Sequence, residues 1–406
     1  MSKRLTTIVL AVFGVALCAT TASATQSRLN ALGAGSLAGA AKNITILDDR
    51  NVFALPAELV KYGNWAGLEI GGPGHTSFGF HYRLNADAIL AAYGTNEVKS
   101  AVTLDGINQA GSANSAVDSG LGGLTHKGTL MFPMNMGASR FGVLLGVHAD
   151  SDKAFDDTGA VTKNDGPLVI EFGLGAGFEV GSADLDIGLG VRYGAPTHED
   201  VDGGVSENSE FGINLLTRLT MPFDGGRHDL VPYLNFAFQS ASGQQKVEGA
   251  PSHSGSNIIV AAGTDVRLKF GDNITMQPGV GLAFSTYTHE TNADGVISTD
   301  TNNMIMAPYY NLSVEVRCYD WLDIRFGGGQ SVVFNSSESV TDGNNNGTDT
   351  ANSEVEHHIA TGVGFNLPHQ FHIDVQVDTG FWKNGPHILT GNTNNFGVNA
   401  ALSKKF

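Results

Sequence analysis

From residue 168 onward, apolar and polar-or-tiny residues alternate along the chain. In 168–180 one face reads Ile170, Phe172, Leu174, Ala176, Phe178 and Val180, and the other Glu171, Gly173, Gly175, Gly177 and Glu179. A short turn follows. Leu185, Ile187, Leu189, Val191 and Tyr193 then alternate with Asp186, Gly188, Gly190 and Arg192. Successive side chains of a strand point to opposite faces, so each run is a strand with one greasy face. The same period returns at 211–221, 258–270, 274–284, 304–317, 322–334, 359–365, 371–381 and 396–406. Shorter, less regular runs fall at 65–72, 77–84, 88–93, 129–134 and 141–148. Helical periodicity is almost absent after residue 65.

The links between runs alternate between short and long, except for a short link at 73–76 where a long one would fall. Short ones fall at 84–87, 135–139, 181–184, 223–228, 271–273, 318–321 and 367–370. Long ones, rich in Asp, Asn, Gly, Ser and Thr, fall at 102–127, 149–166, 195–209, 241–256, 289–302, 335–351 and 383–395. Transmembrane barrels pair short periplasmic turns with long outer loops. The fold expected is therefore all-β, a transmembrane antiparallel up-and-down β-barrel of about 16 strands, with about 14 as the alternative count. Both chain ends then lie on the periplasmic side.

A soluble β-sandwich also alternates. Its inward face would be dry, yet here that face is Gly, Ala, Ser and charged residues. Many runs also reach about 11–15 residues, against about 5–6 in globular strands. Aromatic residues near run ends (Tyr193, Phe223, Phe270, Tyr319, Trp321, Phe381, Trp382) suit interfacial girdles. Glycine-rich inward faces fill the lumen little, which favours an open or plugged channel over a solid barrel.

The two ends refine this. Lys3 and Arg4, the apolar run from Leu5 to Ala16, and Ala22-Ser23-Ala24 form a signal-peptide pattern over residues 1–24. Residues 25–64 precede the first strand, and residues 65–406 would form the barrel. A stretch of about 40 residues that is neither highly charged nor Pro-rich does not dangle, and a plug in the periplasmic mouth is expected. The competing reading is a periplasmic extension with a short helix beginning at Pro56, since Pro suits a first helical turn.

The net charge is −17, with 53 glycines and a mean hydropathy of −0.03. The acidic excess excludes nucleic acid as a partner. The part after residue 24 keeps one cysteine, Cys318. It can form no intramolecular disulfide and is expected to pack as a structural residue.

Arg192, Arg218, Arg267, Glu315, Arg317, Asp323, Arg325 and Asp374 fall on the predicted lumen face. Such charges either tune ion preference or pair across neighbouring strands. Mixed signs favour pairing. No cofactor is expected apart from calcium, for which Asp342, Asn344 and Asn346 form the first half of a binding loop. The acid at its twelfth position is missing, where Ser353 stands. His358 and His372 could face the lumen across one hairpin, but a metal needs a third ligand. His198, Glu199, Asp200, His289 and Glu290 have residue types suited to rim catalysis, without a motif to fix them, so no enzyme is expected.

Two features resemble known outer-membrane proteins. Phe406, in phase with Leu402 and Val398, resembles the terminal aromatic read by the barrel-assembly machinery, which with outer-membrane lipid is the expected partner. The run Leu47-Asp48-Asp49-Arg50-Asn51-Val52-Phe53-Ala54-Leu55-Pro56-Ala57-Glu58-Leu59 resembles the FadL-type family of hydrophobic-compound transporters and their PorV-like relatives. In that family an acidic pair and an aromatic precede Asn-Pro-Ala-x-Leu, just before the first strand. Asp48, Asp49, Pro56, Ala57 and Leu59 match, while Leu55 stands where the family has Asn. The resemblance implies an N-terminal hatch inside the barrel and a channel or transporter for small or hydrophobic solutes. The alternative is a non-channel barrel with a structural, secretion or oligomeric partner.

Overall fold

The computed structural model describes residues 28, 32, 45–46, 49–70, 76–95, 127–149, 152–155, 161–165, 168–195, 197–200, 205–245, 252–293, 295–341, 344–345, 350–377 and 398–406. The signal segment, Asp48, Phe381, Trp382, and Asp342 and Asn346 of the calcium run lie outside the described residues.

Sixteen strands form a closed antiparallel up-and-down barrel. In chain order they are β1 (Trp65–Ile70), β2 (Thr76–Arg83), β3 (Ile89–Thr95), β4 (Lys127–Met136), β5 (Ser139–Ala149) and β6 (Leu168–Val180). There follow β7 (Ala183–Gly194), β8 (Val205–Phe223), β9 (His228–Gln245), β10 (Ser252–Phe270) and β11 (Ile274–Ala293). The last are β12 (Val296–Tyr319), β13 (Leu322–Thr341), β14 (Thr350–Leu367), β15 (Phe371–Val377) and β16 (Val398–Lys405). Each pairs with the next. β1 closes on β16, with Trp65 opposite Lys405 and Ile70 opposite Ala400. Closure leaves no sheet edge, which lipid requires because it offers the backbone no hydrogen bonds. Short ribbons at Asp152–Phe155, Val161–Asp165 and Thr197–Asp200 extend the loop ends.

The burial pattern is inside-out. Glu171, Asp186, Arg218 and Asp374 are buried, whereas Leu130, Phe172, Leu282 and Phe334 are exposed. That is the signature of lipid outside and a polar interior. Tight turns hold the short-link end together, with Gly181 and Gly271 at φ 65° where a side chain would strain the backbone. Phe223, Phe270, Tyr319 and Trp321 gather at this end, exposed, as a girdle. The Tyr319 and Trp321 rings stack at 5.6 Å.

Three expectations change. The long links at 289–302 and 335–351 are largely strand, because β11 runs to Ala293 and β12 starts at Val296, while β13 reaches Thr341. Beyond the lipid, paired strands are wet on both faces, so their Ser, Thr and Asn read like loop. Cys318 is exposed rather than packed, since the β12–β13 turn turns it outward. His358 and His372 do not meet. His372 pairs with Asn366, so His358 is eight residues away along β14, about 26 Å at strand rise.

Leu174 lies mid-strand on the lipid face. Leu174→Arg is expected to destabilise the barrel by about 2–4 kcal/mol, read by denaturant unfolding in lipid vesicles. A change below about 0.5 kcal/mol would contradict the assigned orientation.

Candidate functional site: the plugged lumen

The described residues before β1 pack against the inner face of the barrel wall. Two short 3-10 helices, Asp49–Phe53 and Pro56–Lys61, are joined by Ala54 and Leu55. Pro56 opens the second helix, where its missing N–H is no loss. The short helix expected at Pro56 is present as Pro56–Lys61, packed against the wall at β4 to β7.

The segment's apolar residues join two buried clusters of the wall. Val52, Phe53 and Leu59 pack with Trp65, Ile89, Tyr93, Met131 and Leu144 of β1, β3, β4 and β5. Leu55 packs with Leu216, Tyr233, Ala237, Ile259 and others of β8 to β12. The departure from the Asn-Pro-Ala pattern therefore has a use, because Leu55 is an apolar foot.

Between these feet the plug lies backbone-on-backbone against the wall. A Cβ on Gly142 of β5 would strike the Pro56 carbonyl group, one on Gly175 of β6 would lie 2.5 Å from Ala57 N, and one on Gly188 of β7 would strike Ala54 O. The inward glycines on these three neighbouring strands are a seat for the plug rather than open channel.

An ionic cluster locks this seat. Glu58, 0% exposed, pairs with the fully buried Arg218 and accepts from Lys61 Nζ at 2.6 Å. Lys61 also reaches Asp184 at 2.7 Å. Arg218 donates to Asp186 at 2.8 Å, and Arg140 pairs with both Asp184 and Asp186. Burial alone would raise the Glu58 carboxyl, but the Arg218 guanidinium and the Lys61 ammonium outweigh it and hold it at about 2.

A second set of bonds fastens the earlier part of the segment. Arg28 Nε and Nη2 donate to the two Glu315 oxygens at 3.0 and 2.6 Å. Ser313 donates to Leu32 O at 2.7 Å, Thr45 to Asp265 at 2.6 Å, and Arg267 to Thr45 O at 2.8 Å. A cavity of about 170 Å³ remains between Arg28, Leu32 and Ile46 and the wall formed by Arg267, Lys269, Thr275, Gln277, Ser313 and Glu315.

The predicted lumen charges are placed as follows. Arg192 pairs with Glu210 at 3.3 Å in the outer half. Arg267 meets Asp229 at 2.9 Å, and Arg325 meets Glu315 at 2.7 Å and also Asp374. Arg317, half exposed at the mouth, meets Asp323 at 3.0 Å. Every one of these pairs joins neighbouring strands except Arg325–Asp374, which skips β14. Of the plug residues, Pro56, Ala57 and Leu59 are buried, and Asp49 is placed at a helix start by its backbone. Phe406 donates its N–H to Asn64 O at 3.3 Å, next to the closure of β1 on β16. His289 faces inward and Glu290 outward. Glu58, Lys61, Arg140 and Asp184 were not foreseen. The available signal was Glu58 and Lys61 at i,i+3 after Pro56, since such spacing places two charges side by side.

No protein-family model matches the chain, and no curated protein does. Solved structures do. The chain is similar in fold to outer-membrane transporters and receptors. The Pseudomonas putida toluene transporter TodX has 10% identity and a TM-score of 0.40, covering 88% of this chain and 94% of that one. The ferric yersiniabactin uptake receptor FyuA of Yersinia pestis has 8% identity and a TM-score of 0.40, covering 84% and 80%. The alcaligin receptor FauA of Bordetella pertussis has 8% identity and a TM-score of 0.41, covering 84% and 75%.

Gly188→Val is expected to cost about 1–3 kcal/mol by overpacking against Ala54 and to unseat the plug. Trypsin should then cut after Lys61 in the folded barrel faster than in the parent protein, and equal protection would show that the seat tolerates a side chain. Glu58 gives a pH test. Its seated pKa of about 2 lies below the ordinary 4.5, so the carboxylate stabilises the seated plug fully above 4.5. That contribution drains away as pH falls through about 2. Conductance should therefore rise on acidification below 4.5. Glu58→Gln should show raised conductance already at neutral pH, since breaking a buried pair costs about 3–5 kcal/mol. A parent conductance that is flat with pH and matched by the variant would remove Glu58 from the latch.

Proposed function

We propose that this protein is an outer-membrane transporter for small solutes in which residues 25–64 are the gate. The observation that carries the reading is how the segment is held. Pro56 and Ala57 lie on glycines of the wall, and Glu58 meets Arg218 inside the lumen. These contacts are short-range, so a small displacement breaks all of them together. Leu55 and Phe53 give the seated gate two apolar anchors, while paired wall charges leave no strong preference for either ion sign. Export by the N-terminal signal and insertion through the barrel-assembly machinery, with Phe406 as the recognised end, complete the proposal. Hydrophobic solutes, as in the toluene transporter, are one cargo class compatible with it.

One observation favours a second reading, a barrel that binds a partner outside the membrane. β12 has 24 residues, where about 9–11 suffice to span. Planar-bilayer recording separates the two. Deleting residues 26–60 should convert low, intermittent conductance into large, steady openings. An unchanged record from a correctly folded deletion, shown by heat-dependent gel mobility, would overturn the gate and favour the partner-binding barrel.

A further inference from the structure

The inner wall of β8 to β11 carries buried polar groups with no hydrogen-bond partner among the described residues. Asn235 of β9 lies in register between Leu216 of β8 and Ala261 of β10. It is 1% exposed, and neither its Nδ2 nor its Oδ1 has a partner among the described residues. Four residues outward on the same face, Gln239 Nε2 donates to Glu210 Oε1 at 2.7 Å. That leaves Gln239 Oε1 and Glu210 Oε2 buried and unbonded. In the cross-strand row that starts at Glu210 and passes through Ala241 and Gly255 stands His289. It is 5% exposed, and neither ring nitrogen has a hydrogen-bond partner among the described residues.

Buried donors and acceptors in folded proteins are almost always paired, with protein or with ordered water that a solute can replace. These groups occupy one stripe of the lumen, from the outer half down to the wall that holds Leu55 of the plug. We infer that the stripe is a recognition track for small neutral solutes that carry a hydrogen-bond donor and acceptor side by side, such as carboxamides and polyols. Asn235 is its innermost, selecting residue. This rests on the transporter reading and narrows its cargo. An amide or a pair of hydroxyls can donate to Asn235 Oδ1 while accepting from Nδ2. A hydrocarbon leaves both bare, and a site built to hydrogen-bond its solute rejects analogues that cannot reciprocate. Leu216 and Ala261 on either side disfavour a charged group at that level, and the acid Glu210 is already paired with Arg192. The track therefore selects for polarity without net charge.

The test uses the full chain in liposomes, with swelling in malonamide or xylitol and potassium chloride conductance measured in parallel. Asn235→Leu keeps the side-chain volume and removes both polar atoms. It is expected to slow malonamide and xylitol entry about tenfold while leaving ionic conductance unchanged, with partial recovery in Asn235→Gln. Gln239→Leu should act in the same direction. A structural role alone would lower solute entry and conductance together, and that outcome overturns the inference. So do conducting vesicles whose malonamide rate ignores Asn235→Leu, and then the transporter reading stands. Parent vesicles that neither swell nor conduct overturn both.

Discussion

In lipid a peptide group has nothing to bond to except another peptide group, and that constraint shapes the whole molecule. It forces β1 onto β16, so that even the six-residue first strand finds partners on both sides. It turns the residues inside-out, with Leu and Phe outward and Asp, Glu and Arg inward. The buried charges then have no bulk water and must satisfy each other. Glu315 serves both Arg28 and Arg325, and Asp229 serves both Arg267 and Lys269.

The same polar interior decides how a plug can be held. A wall without a greasy core cannot grip a segment mainly by hydrophobic contact. The chain combines three weaker means. Apolar feet at Phe53 and Leu55 reach the few greasy wall patches, bare backbone lies on Gly142, Gly175 and Gly188, and Glu58 enters a set of wall charges. Each alone would be marginal. Together they order the segment without covalent ties to the wall.

Legibility in the sequence followed contact with lipid. Residues 168–194 could be read almost residue by residue, because lipid on one side and the lumen on the other enforce period two. The hairpin turning between Ala293 and Val296 has the composition of a loop, because a strand wet on both faces has no reason to alternate. The wall arginines were legible as inward-facing, since strand phase fixes their side. Glu58 as the partner of Arg218 was not, since no periodicity links a short helix to a strand 160 residues later. The glycines were visible but ambiguous. A bare position reads the same whether it borders free space or another stretch of backbone, and only placement of Ala54 to Ala57 distinguishes the two.

The hairpin around Gly295 has one more consequence. β11 and β12 stay in register to their tip, with Ala293 opposite Val296. A binder docking there meets paired strands, and pairing lowers the ordering cost of contact. It is a discontinuous epitope, with Thr288 set beside Thr301 and Glu290 beside Thr299 across two strands. An antibody selected on the intact barrel would read that lattice of paired residues, and a linear peptide copied from either strand would present only half of it.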